Sequence, residues 1–227
     1  MKIAIHPRLG SFSDRWIAFC KSKNIPFIEV NCCDSNIIEQ IKDCDALLWH
    51  HAHGTYPDIL LAKHLLYSVQ NSGIFVFPDY NTCWHFDDKV SQKYLLEGIG
   101  APLVPSYVFY EKKKALEWAN STSYPKVFKL RGGAGSANVR LIKSKKQAFG
   151  TINIAFGKGF SGFDRLGYFK DRYNKYKSGI DTFTGVLKGI ARIFITTQFG
   201  RMHGREKGYV YFQDFIPNND YDTRIIV

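Results

Sequence analysis

A glycine-rich stretch between two short apolar runs contains the residues of this 227-residue sequence that are best suited to bind a phosphate. It reads KLRGGAGSANV over residues 129–139, and the spacing predicts strand, turn and strand, that is, a hairpin. Its small tip residues let backbone N–H groups approach a phosphate, and Lys129 can place an ammonium over it. A flexible hairpin with a solvated lysine is the alternative, since neither common phosphate-loop motif fits. The tip residues are Gly132, Gly133, Gly135 and Ser136.

Basic side chains follow two of the strands that we predict near the N-terminus. Arg8 comes after a strand at residues 2–6, and His50 ends one at residues 46–50. The carboxyl ends of parallel strands face the ligand crevice, so we expect Arg8 and His50 to bind an anionic substrate there. His50, His51 and His53 leave the strand in different directions with no carboxylate or cysteine nearby, so we predict no metal site.

The first 80 residues alternate short apolar strands with helices, which indicates a parallel sheet covered on both faces. We predict strands at 2–6, 26–30, 46–50 and 74–78, and helices at 14–23, up to 42 and at 57–71. Asp34 or Ser35 is expected to cap the second helix. The first turn lacks GxGxxG, so a dinucleotide site is not expected there.

The net charge of +11 lies in one segment, because residues 140–207 contain 15 Lys and Arg against 4 Asp and Glu. Apolar residues recur there at spacings of three and four between residues 163 and 194, which predicts a basic helical insertion over about 150–208. We expect it to pack on its own domain. A homodimer interface is the second interpretation, and binding to a polyanion or an anionic membrane surface is the third.

Composition and residue spacing also bear on whether the protein spans a membrane, where it is located and whether it binds nucleic acid. No apolar run reaches the ~20 residues of a membrane span, and the five cysteines suit reduced thiols in a cytoplasmic protein. The aromatic residues of the basic segment have helical spacing, so nucleic acid is not an expected partner. The last strand, at 221–227, would leave a sheet edge unfinished, and we expect the sequence to be cut short at its C-terminus.

Four features in a fixed order resemble the ATP-grasp superfamily, closest to ribosomal-protein glutamate ligases and D-alanine–D-alanine ligases. They are Asp88-Lys89 opening a helix, a Gly-Ala-Pro segment at 100–102, the glycine-rich hairpin, and QDFI…DYDTR at 213–224. The resemblance implies a Rossmann-like parallel-sheet domain at 1–80 and an incomplete ATP-grasp domain at 81–227. The first lobe of that domain would cover 101–208, and the second would begin at 209–227.

The resemblance also implies roles for single residues. Lys89 and Lys129 would contact the ATP phosphates, and the hairpin tip would close over them. The stretch Gln213, Asp214, Phe215 and Ile216 would receive adenine, and Asp220 or Asn219 would reach the ribose. Asp222 would face the substrate, and Arg224 would be catalytic, beside the substrate or the transferred phosphate. Asp214 stands where the family usually has Glu, and Asn138 where it often has Gly.

Proteins of this family phosphorylate a carboxylate with Mg-ATP, and an amine then attacks the acylphosphate. The resemblance therefore implies an ATP-dependent carboxylate–amine ligase acting on small-molecule, peptide or sugar substrates. Its Mg²⁺ ligands are expected beyond Val227, so we expect this chain to bind ATP without turnover. A non-catalytic ATP sensor or scaffold is the alternative function, and binding of a polyanion or membrane surface by the basic segment is another.

Overall fold

A computed structural model describes residues 1–52, 54–132, 139–161 and 204–219, with a few further positions between 169 and 190. The chain divides into two compact units, unit 1 (Met1–Phe86) and unit 2 (Asp87–Val227). Within the described ranges, every helix is too short or too polar to cross a membrane.

Unit 1 is a four-stranded parallel sheet in the order β2-β1-β3-β4, which confirms the predicted parallel sheet. Its sheet has apolar side chains on both faces because successive residues of a strand point to opposite sides. In β1, Ala4 joins the core cluster around Leu47 and Trp49, whereas Ile3 and Ile5 join a second cluster with Cys20. The strands are β1 (Ile3–Ile5), β2 (Phe27–Glu29), β3 (Ala46–Leu48) and β4 (Phe75–Phe77).

The helices of unit 1 are α1 (Phe12–Ser22), α2 (Ile37–Ile41), α3 (Tyr56–Asn71) and the short α4 (Tyr80–Cys83). Ser11 caps α1, where its side chain accepts the N–H of Ser13 at 3.2 Å. The predicted cap of α2 by Asp34 or Ser35 is wrong, because the helix begins after Asn36 and has no side-chain cap. The Asp34 carboxylate instead accepts hydrogen bonds from the side chains of Asn31 and Gln40.

Unit 2 is built on an antiparallel sheet in the order β5-β10-β6-β7. Strands β6 and β7 pair directly across the glycine-rich stretch, which confirms the predicted hairpin. Strand β10 enters between β5 and β6 and pairs antiparallel with both. The strands are β5 (Ser106–Phe109), β6 (Lys126–Lys129), β7 (Val139–Ile142) and β10 (Val210–Asp214), and a separate two-stranded sheet joins β8 (Phe160–Ser161) to β9 (Arg205–Glu206).

One face of the unit 2 sheet is covered by helices. Small residues on α6 (Lys112–Ser121) and α7 (Lys145–Ala155), among them Ala119 and Ala148, are fully buried beside Phe128 and Phe212. A further helix, α5 (Lys89–Gly98), precedes the sheet in the chain. The sequence did not predict α7, and the expected start of the basic insertion near residue 150 falls within this helix. Most of the apolar stripe at 163–194 lies outside the described residues.

Candidate functional site

Lys129, at the end of β6, points its side chain to the face of the sheet that also carries Gln213 of β10. The register places Gln213 opposite Val127 and Tyr211 opposite Lys129, so all four side chains share one face. The Lys129 ammonium donates to Gln213 Oε1 at 2.6 Å. Burial lowers the pKa of Lys129 below its usual value, and the neighbouring charge of Lys89 lowers it further.

A buried serine sets the orientation of the Gln213 amide. The Ser106 hydroxyl donates its single proton to the carbonyl of Val104 at 2.8 Å. It must therefore act as the acceptor for both Tyr211 Oη at 2.9 Å and Gln213 Nε2 at 3.0 Å. With its nitrogen bound to Ser106, the Gln213 amide presents its oxygen to Lys129. This network holds the ammonium through a neutral acceptor, and no carboxylate in the described part of the chain forms an ion pair with it.

The second predicted phosphate contact, Lys89, lies at the N-terminus of α5. Asp88 caps this helix, where its carboxylate accepts the N–H groups of Val90 and Ser91 at 3.1 and 3.0 Å. Burial lowers the pKa of Lys89, although the charges of Asp87, Glu206 and Asp88 act in the opposite direction. Because Lys89 also depresses the pKa of Lys129, the two ammonium groups share one electrostatic environment. Such a pair suits a polyanion.

The base of the glycine-rich hairpin is tied to α5. Lys89 N–H donates to the carbonyl of Arg131 at 3.1 Å, and the Arg131 guanidinium binds the Asp88 carboxylate at 2.5 Å. Burial pushes the pKa of Asp88 up, but the hydrogen bonds from Arg131 and Ser91 outweigh it, and the pKa lies below its usual value. Asp88 therefore joins the helix that carries Lys89 to Arg131, which directly precedes Gly132.

The other side of the hairpin base is held by residues that precede β10. Arg131 N–H donates to Tyr209 Oη at 2.6 Å and to Glu206 Oε2 at 3.2 Å, and the Tyr209 hydroxyl donates to the same carboxylate. Gly159 allows β8 to approach β9 here, because its φ is +71° and an added Cβ would lie 2.6 Å from the Glu206 carbonyl oxygen. The stem of the hairpin is thus fixed on both sides.

Lys126 and Asp214 form an ion pair on the opposite face of the sheet, which sequence reasoning missed. Their nitrogen and oxygen lie 2.5 Å apart, the lysine side chain is only 6% exposed, and its ammonium lies 5.3 Å from the centre of the Tyr107 ring. The sequence contained a signal for this pair, because Lys126 lies two residues before the buried Phe128 and therefore on the same face of the strand. A lysine buried on that face needs a carboxylate partner. The Asp214 carboxylate, predicted to face adenine, is therefore bound to Lys126.

A cavity of about 450 Å³ lies beside this sheet, and all four residues of the predicted adenine stretch line it. Gln213 both lines the cavity and accepts a hydrogen bond from Lys129, so this one side chain connects the ammonium to the cavity lining. Its lining contains both apolar and polar residues. The lining residues are Val104, Val127, Gln213, Asp214, Phe215, Ile216, Asn218 and Asn219.

Of the remaining predicted site residues, the structure describes some and leaves others outside the described ranges. Gly132 lies in the turn that follows β6, directly after Arg131, whereas Gly133, Gly135, Ser136, Asp220, Asp222 and Arg224 lie outside the described residues. In unit 1, Arg8 and His50 are brought together, with Arg8 Nη2 at 2.9 Å from His50 Nδ1. In the part of the chain that the structure describes, no three His, Cys, Asp or Glu side chains are placed to hold a metal ion.

Comparisons with known proteins identify the fold. The chain resembles the biotin carboxylase domain of Hydrogenobacter thermophilus 2-oxoglutarate carboxylase, solved with MgADP, ADP and bicarbonate (TM-score 0.51, 16% identity, 96% of this chain and 44% of that one). It also resembles an ATP-grasp RimK domain protein from Sphaerobacter thermophilus (TM-score 0.52, 15% identity, 96% of this chain and 66% of that one).

Sequence comparison agrees with these structures over a shorter stretch. A biotin carboxylase from Allochromatium vinosum is 28% identical over 109 residues, which is 46% of this chain and 24% of that protein. The chain thus spans less than two thirds of the length of these relatives. No protein-family model matches the chain. The homodimer interface, the role of the basic segment and the division into a first and second lobe stay predictions. The two sheets and their helices nevertheless establish that this chain has the ATP-grasp fold.

Proposed function

We propose that this chain is the nucleotide-binding part of an ATP-dependent ligase that joins a carboxylate to an amine. The observation that supports this most directly is the contact between Lys129 and Gln213, a residue that lines the cavity. The contact joins a cation that forms no ion pair with a carboxylate of the described residues to a cavity lined mainly by apolar and amide side chains. The nucleotide-bound biotin carboxylase domain of the same fold supports the same proposal.

The cavity suits a nucleobase. A flat aromatic ring packs well between aliphatic side chains, and Val104, Val127 and Ile216 provide them. The irregular stretch after β10 offers backbone groups that can form hydrogen bonds with the ring. The Asp214 side chain takes no direct part in this proposal, because Lys126 binds its carboxylate on the other face of the sheet.

The phosphates would lie between Lys129, Lys89 and the hairpin that begins at Gly132. Two ammonium groups with lowered pKa values gain most from an approaching polyanion, because it relieves their mutual repulsion. In the proposed reaction, a substrate carboxylate oxygen attacks the terminal phosphorus and ADP leaves. The amine then attacks the acylphosphate and releases phosphate. The described residues do not supply a Mg²⁺ site.

Thermal unfolding of the 227-residue chain with and without Mg-ATP tests the nucleotide site. At about 100 times its Kd, a ligand adds about 2.7 kcal/mol to the free energy of unfolding. We expect this stabilisation in the wild-type protein and its loss in Lys129→Ala. Lys113→Ala, which removes an exposed lysine of α6, is the matched control and should respond like the wild type. An unchanged response in Lys129→Ala would refute the site.

Catalysis is tested separately from binding. A chain that binds ATP and transfers its terminal phosphoryl group should release ADP only when a carboxylate substrate is added. ADP release that depends on an added carboxylic acid would therefore rule out the non-catalytic sensor or scaffold.

A further inference from the structure

The strand order of unit 1 creates the kind of crevice in which proteins with parallel sheets bind ligands. The chain leaves β1 toward β2 on one side, and it returns to place β3 on the other side of β1. The loops that follow β1 and β3 therefore diverge, and they leave a crevice at the carboxyl ends of these two strands. Arg8 lies in the first of these loops, and His50 lies in the second.

The backbone of Arg8 is fixed by a buried serine in α1. Arg8 N–H donates to Ser13 Oγ at 2.8 Å, and the Ser13 hydroxyl donates back to the Arg8 carbonyl at 3.1 Å. The same carbonyl accepts the N–H of Ser11 at 3.1 Å, next to the cap of α1. These bonds use the main chain of Arg8 only, so its side chain is presented from a rigid position.

The contact between Arg8 and His50 sets the protonation of the imidazole. A guanidinium can only donate, so His50 Nδ1 must be the acceptor at 2.9 Å, and the proton of the neutral ring lies on Nε2. Burial lowers the pKa of His50, and the Arg8 charge lowers it further. The Phe12 ring packs edge-on against the imidazole, with the ring centres 4.8 Å apart. The pair thus offers several N–H donors.

The ion pairs of the described residues do not include Arg8. Within the described ranges, no carboxylate lies at ion-pair distance from its guanidinium. The nearby acidic residue of α1, Asp14, is engaged elsewhere, because it accepts the Gly10 N–H at 2.7 Å. A half-buried guanidinium held by a neutral base has donors that match a carboxylate or phosphate, and no counter-ion.

We propose that Arg8 and His50 form an oxyanion-binding site at the crevice between β1 and β3, which takes a carboxylate or phosphate group. That this group belongs to the acidic substrate of the ligase rests on the proposed function, whereas the binding itself does not. The guanidinium binds the oxyanion with its free N–H groups, and His50 Nε2–H supplies a further donor.

The histidine ring signals of the full chain test this site by NMR. The protein is titrated with sodium succinate and, separately, with sodium phosphate at constant ionic strength, and His50→Gln identifies the His50 signal among the seven histidines. We expect a saturable shift of the His50 signal. Arg8→Ala should weaken binding roughly tenfold, since it removes a charge-assisted hydrogen bond, and Arg8→Lys should weaken it less. Arg15→Ala, an exposed arginine on α1, is the control and should leave binding unchanged.

The two probes separate the sources of the oxyanion. A response to succinate supports a carboxylate ligand, and a response to phosphate alone supports a phosphorylated one. No saturable shift with either anion would overturn the proposal, as would equal weakening by Arg15→Ala and Arg8→Ala. The Arg8 side chain takes no part in the hydrogen bonds between Arg8 and Ser13, so the Arg8→Ala variant should still fold. Its unfolding temperature checks this directly.

Failure of this site and failure of the nucleotide site give different results. Lys129→Ala should keep the His50 response and lose the ATP response, whereas Arg8→Ala should weaken the His50 response and keep the ATP response. A His50 response without any ATP stabilisation would refute the proposed function and leave the oxyanion site standing.

Discussion

The candidate sites of the two units hold a cation in the same way on different kinds of sheet. In unit 1, Arg8 donates to an imidazole nitrogen at the edge of a parallel sheet. In unit 2, Lys129 donates to an amide oxygen on the face of an antiparallel sheet. Both partners are neutral acceptors, which orient the cation without cancelling its charge. The two pairs differ in how far apart their members lie in the sequence, which is 42 residues for Arg8 and His50 and 84 residues for Lys129 and Gln213.

Other cations of unit 2 provide the contrast. Lys126 is bound by Asp214 and Arg131 by Asp88, and in each pair one partner is almost completely buried. A buried charge without an opposite charge is costly, so these carboxylates stabilise the fold. The comparison suggests a rule for these four cations, in which the two with a carboxylate partner are structural and the two with a neutral partner are available to a ligand.

The largest effect that we predict concerns a structural pair. Asp88→Asn keeps the shape of the cap but removes the charge that binds Arg131, and it should lower the free energy of unfolding by about 2 kcal/mol. The pKa of Asp88 is lower in the folded than in the unfolded chain, so its contribution is complete above about pH 4 and is lost as the pH falls further. Urea unfolding at pH 7 and pH 3 measures both effects.

Asp87→Asn is the matched control for this prediction. Asp87 has a φ of +51°, which asparagine tolerates, and it neither caps α5 nor binds Arg131. Its replacement should change stability by less than about 0.5 kcal/mol. Equal losses in the two variants would contradict a structural role specific to Asp88.

An intermediate effect is expected when the neutral partner of Lys129 becomes charged. Gln213→Glu places a carboxylate next to the ammonium, which should weaken ATP binding by roughly tenfold, since the phosphates must then compete with an internal anion. Calorimetric titration with Mg-ATP measures the change. Gln147→Glu, in an exposed position at the start of α7, adds the same charge elsewhere and should have little effect. Unchanged affinity in Gln213→Glu would break the rule.

The smallest effect concerns the pH dependence of the site in unit 1. A bound oxyanion offsets the Arg8 charge that depresses the pKa of His50, so the pKa should rise on binding. By linkage, succinate should bind a few-fold more tightly as the pH falls through the range in which His50 gains its proton. The His50 signal, followed from pH 5 to 8 with and without succinate, reports both quantities. A pKa that stays constant would contradict the direct contact.

The amino-acid sequence determined the local features of this protein. The hairpin of β6 and β7, the helix that begins after Asp88, and the parallel sheet of unit 1 follow from patterns within short stretches of chain. The position of Lys129 at the end of a strand was predictable for the same reason. The alternation of strands and helices also placed Arg8 and His50 near the same edge of the sheet, because parallel strands end together.

Only the tertiary structure decided which partners these residues meet. The insertion of β10 between β5 and β6 brings Gln213 to Lys129 and Ser106, and it turns Asp214 toward Lys126 on the opposite face. A shift of one residue in this register would exchange the two faces, because side chains alternate along a strand. Strand order and register depend on the packing of distant segments, and so the neutral partner of Lys129 and the charged partner of Lys126 could not be derived from local spacing.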